Sequence, residues 1–251
     1  MAALTNAPST LSNATTTTPI VALDVSTAED AIELVDYLGE RCRFYKVGNE
    51  LFTAAGPAIL RELRARGCDV FLDLKFHDIP NTVAGGVRNA AHMGARLVTV
   101  HGVGGVTMLR AAAEAARDAS GDACGVLAVT VLTSLTAGDV ARAWGRDAAV
   151  LDVSDEVLRL ADLAKEAGVH GVVCSGREAS RVRERHGVAL AVLVPGVRPA
   201  GGAVQDQARV VTPAEAGAAG ARYVVVGRMV TAASDRRRAM DEVVRELASG
   251  R

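Results

Sequence analysis

Short apolar runs recur along the chain, and stretches with helical periodicity lie between them. The apolar runs are the strand candidates: Ile20–Val25, Phe44–Gly48, Val70–Lys75, Leu97–His101, Gly125–Thr130, Gly171–Cys174, Ala189–Val194 and Tyr223–Val226. The helical patterns include Ala28–Gly39, Gly56–Arg66, Asn81–Met93, Val106–Ala119, Val153–Ala167 and Arg177–Arg185. Strands that alternate with helices predict a parallel sheet. Eight such strands in a chain of 251 residues favour an α/β fold of the (β/α)8 TIM barrel type.

A doubly wound open sheet is the alternative fold. It usually carries a glycine-rich turn after its first strand, whereas this chain has Asp24-Val25-Ser26-Thr27 there. We therefore predict a single barrel domain over residues 19–251, preceded by a disordered tail over residues 1–18. The tail is rich in Thr, Ala and Asn, and it lacks the basic start and apolar centre of a signal peptide.

Composition narrows the classes of partner. The net charge is −1 and no basic block is present, which argues against nucleic acid as the main partner. No apolar run approaches membrane-spanning length, so we expect no membrane insertion. The four cysteines are scattered without metal-site or C-x-x-C spacing, which is typical of buried free thiols in a reducing cytoplasm.

Lysine is rare in this chain. Only Lys46, Lys75 and Lys165 are lysines among 28 basic residues. Lysine can release a proton and arginine cannot, so lysines at two strand ends hint at proton chemistry. An arginine excess set by genomic base composition is the alternative explanation.

Polar residues gather at the predicted carboxyl ends of the strands, where barrels carry their active sites. They are Asp24, Lys46, Asp73, Lys75, His101, Thr130–Ser134, Ser175, Pro195–Arg198 and Gly227-Arg228. The most informative stretch is Phe71–Thr82, which reads FLDLKFHDIPNT. Residues two apart on a strand share a face, so Asp73 and Lys75 should point the same way. Buried charges are costly unless they are paired or used, and a structural ion pair is the alternative reading.

The pattern D-x-K-x-x-D-I-P-N-T in this stretch resembles the active-site signature of the orotidine 5′-phosphate decarboxylase family. The resemblance extends from about Ile20 to Met229. It implies decarboxylation of orotidine 5′-monophosphate to UMP and CO2 in de novo pyrimidine biosynthesis, without a cofactor. It also implies a homodimer with shared active sites.

The resemblance assigns the catalytic group to four residues of alternating charge. Lys46, Asp73, Lys75 and Asp78 would stay ionised together, because each charge is flanked by its opposite. Lys75 would protonate C6 of the pyrimidine, and Asp73 would lie beside the substrate carboxylate. Asp78 would reach the site of the neighbouring subunit, and Thr82 is a candidate for the same exchange.

The family pattern also implies contacts to the nucleoside. Asp24 matches an aspartate that binds a ribose hydroxyl, although a helix cap is its alternative role. Thr133, in the L-T-S segment, matches a residue that contacts the pyrimidine. A helix cap near Thr136 is the competing use of that segment.

Phosphate recognition is expected after strands seven and eight, where barrels often bind phosphate. The family patterns P-G-[IV]-R-P and D-Q are present at 195–199 and 206–207. Arg228 would pair with the phosphate, beside the backbone of Gly227. Arg198 belongs to the same group, and Gln207 would reach the phosphate from a mobile loop.

No metal is expected. His77 and His101 lack metal-ligand spacing, and an ammonium between carboxylates repels a cation. Two rival functions remain: a related Mg²⁺-dependent barrel lyase acting on a sugar phosphate, and a catalytically silent barrel that only binds phosphate. Loss of Lys75 or Asp73 would mark the silent barrel, and both are present.

Overall fold

The computed structural model of the chain describes residues 16–199 and 211–250. Eight parallel strands close into a barrel in which each strand pairs with the next along the chain and the last pairs with the first. The strands are β1 Thr18–Ala22, β2 Phe44–Gly48, β3 Asp69–Phe76, β4 Leu97–His101, β5 Gly125–Val129, β6 Gly171–Val173, β7 Ala191–Val194 and β8 Tyr223–Val226. The predicted (β/α)8 barrel is confirmed.

Helices follow the strands and cover the barrel. They are α1 Ala28–Leu38, α2 Asn49–Ala55, α3 Ala58–Ala65, α4 Pro80–His92, α5 Gly105–Ser120, α6 Ala137–Trp144, α7 Val153–Glu166, α8 Gly176–His186, α9 Pro213–Ala218, α10 Arg228–Thr231 and α11 Arg236–Ser249. Within the described ranges, no helix is both long and apolar enough to cross a membrane.

The apolar side chains form two cores. One fills the barrel interior and includes Ile20, Phe44, Phe71, Leu97, Leu127, Leu193 and Tyr223. The larger one lies between the strands and the helices. On β3, Phe71 belongs to the inner core and Leu72 to the outer core, as period-two alternation predicts.

Strand β3 carries an irregularity that the apolar pattern did not predict. It pairs regularly with β2, from Phe44↔Asp69 to Gly48↔Asp73. Against β4, however, Leu72 pairs with Val98 and Phe76 pairs with Val100. Four steps along β3 thus match two along β4, so β3 contains a bulge of two extra residues. Within it, Lys75 has φ 51°, a left-handed conformation that costs about 1–2 kcal/mol outside glycine.

The amino-terminal end of the barrel is closed by aromatic and polar side chains. The rings of Phe44 and Tyr223 meet edge to face at 6.2 Å, and the His170 Nε2 lies 3.2 Å from the Tyr223 hydroxyl. Burial, together with the nearby guanidinium groups of Arg222 and Arg96, lowers the pKa of His170 to about 4. This end therefore holds a neutral imidazole at physiological pH.

The start of β1 lies slightly earlier than predicted. Thr18, the last residue of the predicted tail, begins the strand, and the Thr17 hydroxyl donates to the Ala221 carbonyl at 2.7 Å. Residues 1–15 lie outside the described ranges, so the disordered tail and the domain boundary stay predictions. The four cysteines are free and buried, as expected.

Candidate active site

A cavity of about 570 Å³ opens at the carboxyl ends of the strands. Its lining comes from every strand except β4 or from the loops that follow: Ala22, Asp24, Lys46, Phe71, Asp73, Lys75, Val129, Val131–Ser134, Val173, Leu193, Pro195, Gly196, Arg198, Val225, Gly227, Arg228 and Thr231. Most of the predicted site residues therefore meet in one place, although they are far apart in sequence.

Four side chains of alternating charge form a row along one wall. The Lys46 ammonium donates to Asp24 Oδ1 at 2.8 Å and lies 3.9 Å from Asp73 Oδ2. The Lys75 ammonium donates to Asp73 Oδ1 at 2.9 Å. The alternation that predicted a shared face for Asp73 and Lys75 is thus confirmed, despite the bulge between them.

The middle of this row is the most buried part. The side chains of Lys46 and Asp73 are 12% and 13% exposed, whereas Asp24 is 64% exposed. Burial of a charge is tolerated when an opposite charge compensates for the lost hydration. Gly48 makes room for this arrangement, because a Cβ at that position would lie 3.0 Å from the Lys46 Nζ.

Two expected positions along the strands need correction. Asp24 does not end β1, which stops at Ala22, and Lys46 lies in the middle of β2 rather than at its end. The alternative role of Asp24 as a helix cap is excluded, because the side chain of Thr27 caps α1.

Two histidines lie beside the charged row. Their rings, His77 and His101, are 5.5 Å apart. Burial, with the nearby His77 and the Lys75 ammonium, lowers the pKa of His101 below its ordinary value. His101 is therefore neutral at physiological pH and adds no charge to the row.

Another part of the cavity wall is built from the loops after β7 and β8. Gly227 precedes α10, and Arg228 is the first residue of that helix. Arg198 lines the cavity, and its amide donates to the Val211 carbonyl at 3.0 Å, which joins the two sides of the intervening segment. Gln207 lies in that segment, outside the described residues, so its predicted role is untested.

The loop after β5 serves two purposes with different residues. Thr133 lines the cavity, and its contact with the pyrimidine stays a prediction. Thr136 is the N-cap of α6 and forms a capping box with Asp139. The two readings of this segment are therefore compatible.

Comparison with known proteins identifies the family. A family model described as "Orotidine 5'-phosphate decarboxylase / HUMPS family" matches residues 17–243. The chain belongs to this family.

Individual relatives also support membership of the orotidine 5′-phosphate decarboxylase / HUMPS family. The chain is 51% identical to orotidine 5′-phosphate decarboxylase of Alkalilimnicola ehrlichii, over 92% of this chain and 96% of that protein. It is 48% identical to the orotidine 5′-phosphate decarboxylase of Halorhodospira halophila, over 92% of this chain and 95% of that protein. The crystal structure of orotidine 5′-phosphate decarboxylase from Lactobacillus acidophilus superposes with a TM-score of 0.81 at 36% identity, covering 92% and 99%. The resemblance seen in the motifs is confirmed.

Two residues of the orotidine 5′-phosphate decarboxylase family signature lie away from the cavity of their own barrel. Asp78 and Thr82 are exposed, and neither lines the cavity. Asp78 Oδ1 accepts a hydrogen bond from the Ile79 amide at 2.6 Å, just before Pro80 begins α4. Asp78 has left the strand, as predicted, and its side chain is accessible to another molecule.

One side chain next to this family signature was missed by the sequence reasoning. Thr99 on β4 is completely buried, and its hydroxyl donates to Asp73 Oδ1 at 3.0 Å. The amide of Lys75 donates to the same hydroxyl at 2.9 Å. The available signal was its spacing of two residues from His101. This spacing places Thr99 on the same, inner face of an apolar strand.

Proposed function

We propose that this chain decarboxylates orotidine 5′-monophosphate to UMP and CO2, as a step of de novo pyrimidine synthesis. The observation that carries the proposal is the Asp73–Lys75 ion pair, 2.9 Å between Oδ1 and Nζ, on the wall of a nucleotide-sized cavity. The names of the relatives favour a nucleotide substrate over a sugar phosphate.

The charge of the cavity supports an anionic substrate. Among the lining residues, the carboxylates Asp24 and Asp73 face four cations, Lys46, Lys75, Arg198 and Arg228. The excess of positive charge complements a substrate that carries both a carboxylate and a phosphate. The phosphate of the substrate would lie at Arg228. The pyrimidine, which carries the carboxylate, would lie at Lys46 and Lys75.

The chemistry requires charge stabilisation at one carbon atom. The bond between C6 and the carboxylate breaks, CO2 leaves, and the electron pair remains on C6. The Lys75 ammonium stabilises this developing charge more strongly than the ground state and then donates its proton to C6. Asp73 holds that ammonium in place and lies beside the substrate carboxylate, so their repulsion is relieved when CO2 departs.

Contacts remote from C6 bind and orient the nucleotide. Asp24 accepts a hydrogen bond from a ribose hydroxyl, and Thr133 contacts the pyrimidine edge. Arg228 and the Gly227 backbone bind the phosphate with Arg198 and Gln207. This binding energy holds the pyrimidine at the charged row during the reaction.

The active site is proposed to be shared within a homodimer. The exposure of Asp78 and its absence from the lining of its own cavity support this proposal. An isologous dimer would supply Asp78 and Thr82 reciprocally and create two equivalent sites. The cytoplasm is the proposed compartment, in keeping with the four free cysteines.

The direct test is the loss of orotidine 5′-monophosphate absorbance with the purified protein. We expect turnover with UMP as the product, and no loss of rate in EDTA, because no step uses a metal. A Mg²⁺-dependent lyase would lose its activity in EDTA and would prefer a sugar phosphate. A protein that binds UMP but never consumes the substrate would be the silent barrel.

Mixing two inactive variants tests the shared site. Lys75→Ala and Asp78→Ala are each expected to be inactive alone. After subunit exchange, one site of the heterodimer carries both changes and the other carries neither. Activity should return to roughly a quarter of the wild-type value, because half of the dimers are mixed and each has one intact site. No recovery despite proven exchange would assign Asp78 to its own barrel.

A further inference from the structure

We infer that Thr99 is a positioning residue for the decarboxylation, and this inference rests on the proposed function. Thr99 is completely buried on β4 and does not line the cavity, so it cannot touch the substrate. Its hydroxyl nevertheless contacts both members of the ion pair that carries the proposed chemistry. It therefore acts through Asp73 and Lys75.

The two hydrogen bonds use the hydroxyl in both of its capacities. A hydroxyl has one proton to donate and lone pairs that accept. Thr99 donates its proton to Asp73 Oδ1 at 3.0 Å and accepts the Lys75 amide proton at 2.9 Å. One oxygen atom thus joins the carboxylate to the main chain of the lysine.

The bulge in β3 explains why a hydroxyl is needed there. Asp73, Leu74 and Lys75 lie between the pairs Leu72↔Val98 and Phe76↔Val100, so these three residues face Thr99 alone. A bulge disrupts the regular ladder of main-chain hydrogen bonds. A buried amide without a hydrogen-bond partner destabilises the fold. The Thr99 side chain satisfies the Lys75 amide while that residue holds its left-handed φ of 51°.

The same hydroxyl fixes the orientation of the carboxylate. Asp73 Oδ1 receives both the Thr99 hydroxyl and the Lys75 ammonium, and Oδ2 lies 3.9 Å from the Lys46 Nζ. Without the Thr99 donor, the carboxylate can rotate toward Lys46, and the Lys75 ammonium loses its fixed partner. Misplacement of a catalytic group by about 1 Å can cost roughly a hundredfold in rate.

The experiment compares Thr99→Val with Thr99→Ser in steady-state kinetics. Valine keeps the branched shape and removes the hydroxyl, so kcat should fall roughly tenfold to a hundredfold. KM should change by less than about threefold, because Thr99 does not touch the substrate. Serine keeps the hydroxyl and should remain within about threefold of wild type in both constants.

Thr17→Val is the matched control. Thr17 is also buried, and its hydroxyl donates to the Ala221 carbonyl at the opposite end of the barrel. Its loss should lower thermal stability about as much as Thr99→Val and leave kcat unchanged. If Thr99→Val fails to fold, Thr99→Ala against Thr99→Ser replaces the comparison, since these variants differ by the hydroxyl oxygen alone.

Three results would overturn the inference. They are a Thr99→Val variant with kcat within about twofold of wild type, a rise in KM at unchanged kcat, and a serine variant as slow as the valine variant. A wild-type protein without turnover would instead contradict the proposed function itself. The two failures are therefore distinguishable.

Discussion

The two ends of the barrel bury polar side chains in opposite ways. At the carboxyl end, Lys46, Asp73 and Lys75 are partly buried as charges, and each has an opposite charge within 4 Å. At the amino end, His170 lies against Tyr223 as a neutral ring. At the carboxyl end, charges of alternating sign stabilise one another. At the amino end, the imidazole is buried in its neutral form.

This difference separates chemistry from stability. Charges held in a cavity can act on a substrate, and the cost of their desolvation is offset by ion pairing. A neutral hydrogen-bonded pair offers no such field but closes the barrel at little electrostatic cost. Changes at the carboxyl end should therefore affect turnover, and changes at the amino end should affect folding.

The largest effect is expected from Lys75. Lys75→Ala should lower kcat by more than about a thousandfold, because the proposed proton donor to C6 is lost. Lys75→Arg should be inactive as well, since arginine keeps the charge but does not release its proton. Steady-state kinetics and circular dichroism would show an inactive, folded protein.

Lys165 provides the control for this change. It is an exposed lysine on α7, and Lys165→Ala should keep full activity. Near-normal turnover in Lys75→Ala would remove Lys75 from the mechanism and break the contrast between the two ends.

A smaller effect is expected at Arg228, the proposed phosphate ligand. Arg228→Ala should cost about 2–4 kcal/mol of transition-state stabilisation, because the proposed charge-assisted contact to the substrate phosphate is lost. The measurement is kcat/KM for orotidine 5′-monophosphate and for orotidine, which lacks the phosphate. Arg238→Ala is the control, since that arginine is exposed on α11 and pairs with Glu242. An equal loss with both substrates would mean that Arg228 does not bind the phosphate.

The smallest effect is a pH dependence of stability at the amino end. The pKa of His170 is about 4 in the fold against 6.5 as its ordinary value. The unfolded chain therefore binds more protons between these values, and stability falls as pH falls through this range. The loss should reach up to about 3 kcal/mol near pH 4.

Urea unfolding at pH 7.5 and pH 5 measures the slope of the free energy of unfolding against pH. His170→Gln should flatten it, and His92→Gln, at an exposed position, should leave it unchanged. An unchanged slope in His170→Gln would show that His170 is not the group responsible.

The strands were predictable because apolar runs alternate with helical patterns, and the position of Lys75 on the wall followed from its spacing to Asp73. The bulge in β3 was not predictable in the same way. The letters of Asp73-Leu74-Lys75 also suit a regular strand, and only pairing with β4 reveals the two extra residues. The importance of Thr99 depends on that pairing, so its spacing from His101 marked it as an inward-facing polar residue but did not reveal which groups it contacts.

The bulge has a consequence for protein design. A designer who transplants the sequence Asp73–Thr82 into another barrel would carry over the charged residues but not their arrangement. The host would also need a strand that accommodates two surplus residues and a hydroxyl on the neighbouring strand, as Thr99 provides here. The smallest part of this site that could be transferred to another barrel is therefore a pair of adjacent strands, and the signature sequence alone is not enough.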